Sequence, residues 1–239
     1  LANFEAHEDL IYKRGDMVVE LASLYNRLGQ PEKALAIFQS SEFHLWEGGE
    51  GLVLEQTGMA HWLLGRAALE VGDAQAAMAH FERGLSLPDA WGESPLRRPL
   101  LYFAGLAKEA LGDAGSALAL FEKAAQDVRW VSLATYYQAL ALAKLGKREE
   151  CNARLGELRD WAEKKASEPV KGDYFHPQTP SVTFEDDPQL PNQIYCAYLI
   201  GLAQLGLGQV EQARQAFERA LTLDPAHTWA FVEFSRLNR

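Results

Sequence analysis

Five glycines, each flanked at fixed distances by residues of one size class, constrain this chain of 239 residues more than anything else in it. They are Gly29, Gly72, Gly112, Gly146 and Gly208. Seven residues before them stand Ala22, Gly65, Gly105, Ala139 and Gly201, all tiny. Five residues after stand Ala34, Ala77, Ala117, Cys151 and Ala213, and nine after stand Phe38, Phe81, Phe121, Leu155 and Phe217. Such columns describe a helix–turn–helix hairpin. The glycine ends the first helix in the left-handed conformation that costs it nothing. Small residues let the two backbones approach, and the large residue at plus nine is expected to fill the gap against the next hairpin. One hairpin cannot bury its own apolar face, so neighbours must stack. The expected fold is an all-α solenoid of about five hairpins.

The pattern resembles the tetratricopeptide repeat, a unit of about 34 residues. The match is fullest in the fifth unit, at Ile200, Gly201, Gly208, Ala213, Phe217, Ala220 and Pro225. The first unit carries Leu21, Ala22, Tyr25, Gly29, Ala34 and Phe38. The fourth departs furthest, with Cys151, Leu155 and Leu158 for Ala, Phe and Ala, which predicts altered local packing within an intact hairpin. The resemblance implies a right-handed superhelical solenoid forming a single domain over 1–239. Its repeats fall at 15–48, 58–91, 98–131, 132–165 and 194–227. Residues 1–14 read as part of a preceding helix. A capping helix is expected over 226–238, with Trp229, Phe231, Val232, Phe234 and Leu237 covering the last repeat.

Composition narrows the function classes. Net charge is −10, from 23 basic and 33 acidic side chains. Nucleic-acid binding rests on Lys and Arg neutralising phosphates, so no nucleic-acid partner is expected. The pair Arg97-Arg98 is too small a basic run to change that. No stretch of about 18 apolar, uncharged residues is present, so no membrane partner is expected either. The first residues lack a signal-peptide pattern and an initiating Met, which leads us to expect a fragment of a longer chain. A cytoplasmic setting is the favoured expectation. Cys151 and Cys196 sit in apolar helical patterns and read as buried thiols rather than a bridge or metal ligands.

Three insertions fall between hairpins, around 43–57, 88–97 and 166–193, while the turns inside hairpins stay tight. Equivalent loops of a solenoid project from one edge, and insertions on one face often mark a binding surface. The first holds His44, Trp46, Glu47 and Glu50 among glycines, the second Trp91 and Glu93, the third Tyr174 and His176. Loops 43–51 and 88–95 are expected to touch each other or 170–188. Trp46 and Trp91 suit either plugging of the solenoid edge or contact with a ligand, and Glu47 and Glu50 suit solvated loop positions equally well. His44 and His176 are too scattered to form a zinc set, so no metal is expected.

These loops carry a closer resemblance. Residues 43–51, Trp91-Gly92-Glu93, Asp173-Tyr174-Phe175 and Phe184-Glu185-Asp186-Asp187 are similar to a group of bacterial proteins in which a tetratricopeptide array follows a sugar-associated, mutarotase-like β-sandwich region. The resemblance runs from about Tyr12 to the capping helix. It implies that this chain is the C-terminal array of a carbohydrate-active protein. Leu45, where Pro is expected, and Gln189-Leu190-Pro191 depart from the group.

A second candidate surface lies on the first helices. Ten residues before each turn glycine stand Val19, Trp62, Tyr102, Tyr136 and Tyr198, and six before stand Ser23, Arg66, Leu106, Leu140 and Leu202. Positions four apart share one helical face. In the family this face lines the concave groove, so Trp62, Arg66, Tyr102, Tyr136 and Tyr198 are the candidate groove residues. The aromatic column suits either an accessible recognition stripe or packing between adjacent first helices. Members that bind chaperone tails hold a peptide carboxylate with Lys and Asn here. These columns have neither, which argues against that partner class.

No nucleophile elbow, phosphate loop, zinc signature or dinucleotide fingerprint occurs. Glu47 and Glu50 sit on a Gly-rich loop, whereas paired catalytic carboxylates need rigid support. Neither catalysis by this chain itself nor a cofactor is expected. Two functions remain: a protein-interaction scaffold that binds a peptide or domain through groove or loop edge, and an accessory module docked on an N-terminal catalytic domain of the same protein, lending it loop residues.

Overall fold

The computed structural model describes residues 7–41, 51–88, 94–170, 187 and 189–238, with the side chains of residues 8 and 9 left aside. Every regular element among them is a helix. These are α1 (Glu8–Ile11), α2 (Gly15–Arg27), α3 (Pro31–Ser40), α4 (Leu52–Glu70), α5 (Ala74–Leu85), α6 (Arg97–Ala110), α7 (Ala114–Ala124), α8 (Leu133–Lys144), α9 (Arg148–Ser167), α10 (Gln189–Gly206), α11 (Val210–Leu223) and α12 (Thr228–Leu237). The all-α expectation and the five hairpins stand: α2–α3, α4–α5, α6–α7, α8–α9 and α10–α11. They belong to two compact units, 1–126 and 127–239.

All five hairpins close by the same device. Gly29, Gly72, Gly112, Gly146 and Gly208 have φ between 70° and 82°. The residue after each glycine donates its N–H to a carbonyl five residues back: Gln30 to Tyr25, Asp73 to Ala68, Asp113 to Lys108, Lys147 to Leu142 and Gln209 to Gln204, at 2.8–2.9 Å. These bonds satisfy carbonyls that a helix end leaves orphaned. Asp73 and Asp113 then cap the following helix, their carboxylates accepting from the N–H of Ala76 and Ser116.

In unit 1 the plus-nine rings are placed differently from the expectation. Phe81 and Phe121 lie over Gly65 and Gly105 of their own hairpins. A Cβ at either glycine would come within 3.0 Å of three carbons of the ring. The next hairpin meets Phe81 through Phe103, whose ring is stacked at 6.0 Å. It also seats Leu100 against Gly84. The fully buried Phe81 ring contributes about 1.5–3 kcal/mol by burial alone. Hairpin one has its own core, with Ile11, Val18, Leu21, Ala22, Ala34 and Ile37 packed on Ala60 of α4. Asn26 ties it further, its Nδ2 donating to the Gln56 carbonyl at 3.0 Å.

In unit 2, Phe217 lies over Gly201 in the same manner. The fourth hairpin shows the altered packing expected of it. Leu155, fully buried, presses its methyl groups against Gly206 of α10, in the hairpin that follows. Cys151 and Cys196 are buried free thiols, and burial pushes both up from the ordinary thiol range. The capping helix departs from its expectation. The residues of α12 that are buried are Thr228, Ala230 and Glu233, while Trp229, Phe231, Val232, Phe234 and Leu237 are only half-buried. The face turned inward is therefore the small and polar one, and the large side chains flank it.

The insertions are shorter than the sequence suggests. α4 begins at Leu52, six residues ahead of the expected repeat, and α9 runs on to Ser167. The far end of α9 is closed by side chains of α10. Gln189 Nε2 donates to the Ala166 carbonyl at 3.1 Å, and Asn192 Nδ2 donates to the Lys165 carbonyl at 2.8 Å. Pro191 falls in the first turn of α10, where its missing N–H costs nothing.

Candidate functional site

The loop-edge candidates His44, Trp46, Glu47, Glu50, Trp91, Glu93, Tyr174 and His176 all lie outside the described residues, as do the contacts expected between their loops.

The groove candidates lie within them, and burial corrects the expectation of an accessible column. Trp62 is 0% exposed, Tyr136 7% and Tyr198 2%. Tyr102 is the one of the four that is half-exposed. The covering groups are visible in each unit. In unit 1, Phe103 meets the Trp62 ring edge-on at 5.9 Å. In unit 2, Tyr198 is enclosed by Phe217 at 6.0 Å and by His227 of the α12 N-cap at 5.2 Å. That enclosure holds the Tyr198 hydroxyl well above the usual phenol range, through burial first and neighbouring hydroxyls and Glu233 after it. Tyr137 meets Tyr136 edge-on at 5.1 Å. Trp62 thus packs against the next first helix and Tyr198 against α11 and the start of α12, so the buried members of the column serve packing, one of the two readings it left open.

What unit 1 does bring together is a small aromatic cluster holding a cation. The Arg66 guanidinium carbon lies 4.2 Å from the Trp62 ring centre and 4.9 Å from that of Phe103. A guanidinium lying over aromatic rings is attracted by their π electrons. The side chain is 5% exposed. Tyr102 meets Phe103 edge-on at 5.4 Å and reaches Phe121 at 5.9 Å. The cluster is thus Trp62 and Arg66 from α4 with Tyr102 and Phe103 from α6, of which Tyr102 and Phe103 are half-exposed. Phe103 was missed because it stands one place off the column, between Tyr102 and Ala104.

Two further residues escaped the sequence reading. Arg98 was set aside as half of a weak basic run. It is 5% exposed, and its Nη1 donates to the carbonyls of Ala124 at 2.9 Å and Gln126 at 2.6 Å, at the end of α7. A cation there also complements the helix dipole. His61 and His80 form a pair across α4 and α5, with Nδ1 atoms 3.2 Å apart. No group of three or more His, Cys, Asp or Glu side chains able to hold a metal occurs among the described residues. Within the same residues, no helix is long and apolar enough to cross a membrane.

Successive antiparallel helix pairs, each closed by a left-handed glycine and three of them by a ring over a glycine of the same pair, define a helical-repeat protein. Family models agree at two places: residues 194–227 and residues 58–83 each match the tetratricopeptide repeat. These are the fifth and second hairpins, so the repeat type expected from the glycine columns is present in both units. Among solved structures, a chain matched over 98% of this one and 96% of its own is YrrB, described as a TPR protein with an unusual peptide-binding site. The two are 16% identical with a TM-score of 0.33, too distant a likeness to carry anything over.

Proposed function

We propose that this chain is a protein-interaction module and that unit 1 receives an extended peptide across α4 and α6, with Tyr102 as the accessible anchor. The observation that supports this reading is the Trp62–Arg66–Tyr102–Phe103 cluster, in which a cation lies over two edge-on rings near a half-exposed phenol. Aromatic and Arg side chains set in rigid surroundings are the residue types that carry most binding energy in interfaces. The partner best suited is a peptide that offers an apolar side chain to the Tyr102 ring and an acceptor to its hydroxyl.

Selection of displayed peptides on the purified chain tests the reading. Binders are expected to lose about tenfold or more in affinity for Tyr102→Ala, a value typical of an interface anchor. Tyr102→Phe should separate the ring from its hydroxyl. Binders that ignore both substitutions, or a selection that yields none, would remove unit 1 from consideration.

A second reading, an accessory module docked on a sugar-active domain of the same protein, is favoured by the loop sequences 43–51, 91–93, 173–175 and 184–187. Its test is association with such a domain in trans, abolished by Trp46→Ala with Glu50→Ala.

A further inference from the structure

His61 on α4 faces His80 on α5 within the second hairpin. Their Nδ1 atoms are 3.2 Å apart, the ring centres 5.5 Å apart, and the ring planes inclined by 39°. The separation of the centres exceeds that of the nitrogens by two ring radii, so the two nitrogens meet nearly head on. That geometry suits one proton between them: one ring donates through Nδ1–H and the other accepts at a bare Nδ1. It does not suit a shared metal, because two ligand lone pairs must converge on a point off the line joining them.

We propose that this pair is a proton-operated latch: it holds α4 against α5 while one ring at most is charged, and it releases them when both are. A first added proton goes to the Nε2 of the donor ring and leaves the N–H···N bond in place, now assisted by charge. The second proton must go onto the acceptor Nδ1. That sets two N–H groups and two positive charges face to face, and the hydrogen bond is lost.

The surroundings decide the order. Arg83 of α5 opposes charge on both rings, and Glu32 in the first turn of α3 favours it on His80 alone. From α2 and α6, the other elements packed on this hairpin, no described group acts on either ring. His80 is half-buried and His61 buried, so His80 takes the first proton. Burial, then His80, then Arg83 push His61 down from 6.5 to about 4. His80 is lowered by burial and by Arg83, against Glu32. Both folded values lie below the unfolded one, so the open form binds protons more readily. The latch is whole above pH 6.5 and fails as pH falls toward about 4. Two interacting rings titrate as a pair, in two macroscopic steps. The proposal stands whether or not a ligand binds beside Tyr102.

Imidazole nitrogen NMR on the full chain, titrated through this window, reads the two rings. Amide hydrogen exchange, corrected for its intrinsic pH dependence, reads the opening. Two coupled steps are expected, His61 last and near pH 4. Protection of α4 and α5 amides should fall by up to about tenfold per pH unit, more than that of α6 and α7. In His80→Gln the new side chain carries no charge, so His61 should titrate higher than in the wild type and the selective opening should vanish. If that variant does not fold, the wild-type titration and exchange decide. Independent titration of the two rings, or acid exchange in α4 and α5 no greater than in the rest of unit 1, would overturn the proposal.

Discussion

Gly65 lies directly beneath Phe81, so closely that a Cβ on the glycine would come within 3.0 Å of three carbons of a fully buried ring. Gly65→Ala therefore sets two effects against each other. Alanine in a helix interior gains about 1 kcal/mol over glycine, while overpacking a tight core costs about 1–3 kcal/mol. Phe103 also packs against this ring, with the centres 6.0 Å apart. A net loss of up to about 2 kcal/mol is expected in denaturant unfolding. Gly65→Ala with Phe81→Leu should couple favourably in a double-mutant cycle. Simple additivity would show that ring and glycine do not share one space.

Ala117 holds the small position five residues past Gly112 and is 3% exposed. Ala117→Leu should overpack the α6–α7 hairpin and cost about 1–3 kcal/mol. A lowered thermal midpoint checks it, and an unchanged one would mean that the small column is not buried.

Arg98 is expected to matter through its two carbonyls and not through charge at the surface. Arg98→Met keeps the apolar stem and removes both bonds, leaving buried acceptors unanswered at the end of α7. Hydrogen bonds to charged groups contribute about 1.5–3 kcal/mol, and a loss in that range is expected. Arg98→Lys, with one donor centre in place of the planar fork, should recover part of it. Equal stability of the Met variant and the wild type would show that water serves those carbonyls as well.

The parts of this molecule that were legible in its sequence are those that repeat. Gly29, Gly72, Gly112, Gly146 and Gly208 meet one steric demand five times, and a demand met five times leaves a column. Depth was not legible. The column of Trp62, Tyr136 and Tyr198 gave the helix face, but the rings that cover Trp62 and Tyr198 come from outside the column, Phe103 on the first and Phe217 and His227 on the second. Single clamps left no trace either. Arg98 reaches carbonyls 26 and 28 residues away, and Gln189 and Asn192 reach back to α9, each in one hairpin alone. His61 and His80 are 19 residues apart on opposite arms of one hairpin, and they were findable only by asking which side chains the turn at Gly72 brings level.

The seat of Leu155 has a consequence for the order in which the chain acquires structure. Hairpins two, three and five each close a ring over a glycine of their own, so each carries a contact of short sequence separation that can form early. Hairpin four rests its plus-nine residue on Gly206, a glycine that belongs to hairpin five, more than 50 residues further along the chain. During synthesis from the N-terminus, that hairpin emerges before its floor exists. Its α8–α9 pair then gains its last packing only when α10 arrives, so in this stretch structure propagates backward along the chain, from the fifth repeat into the fourth.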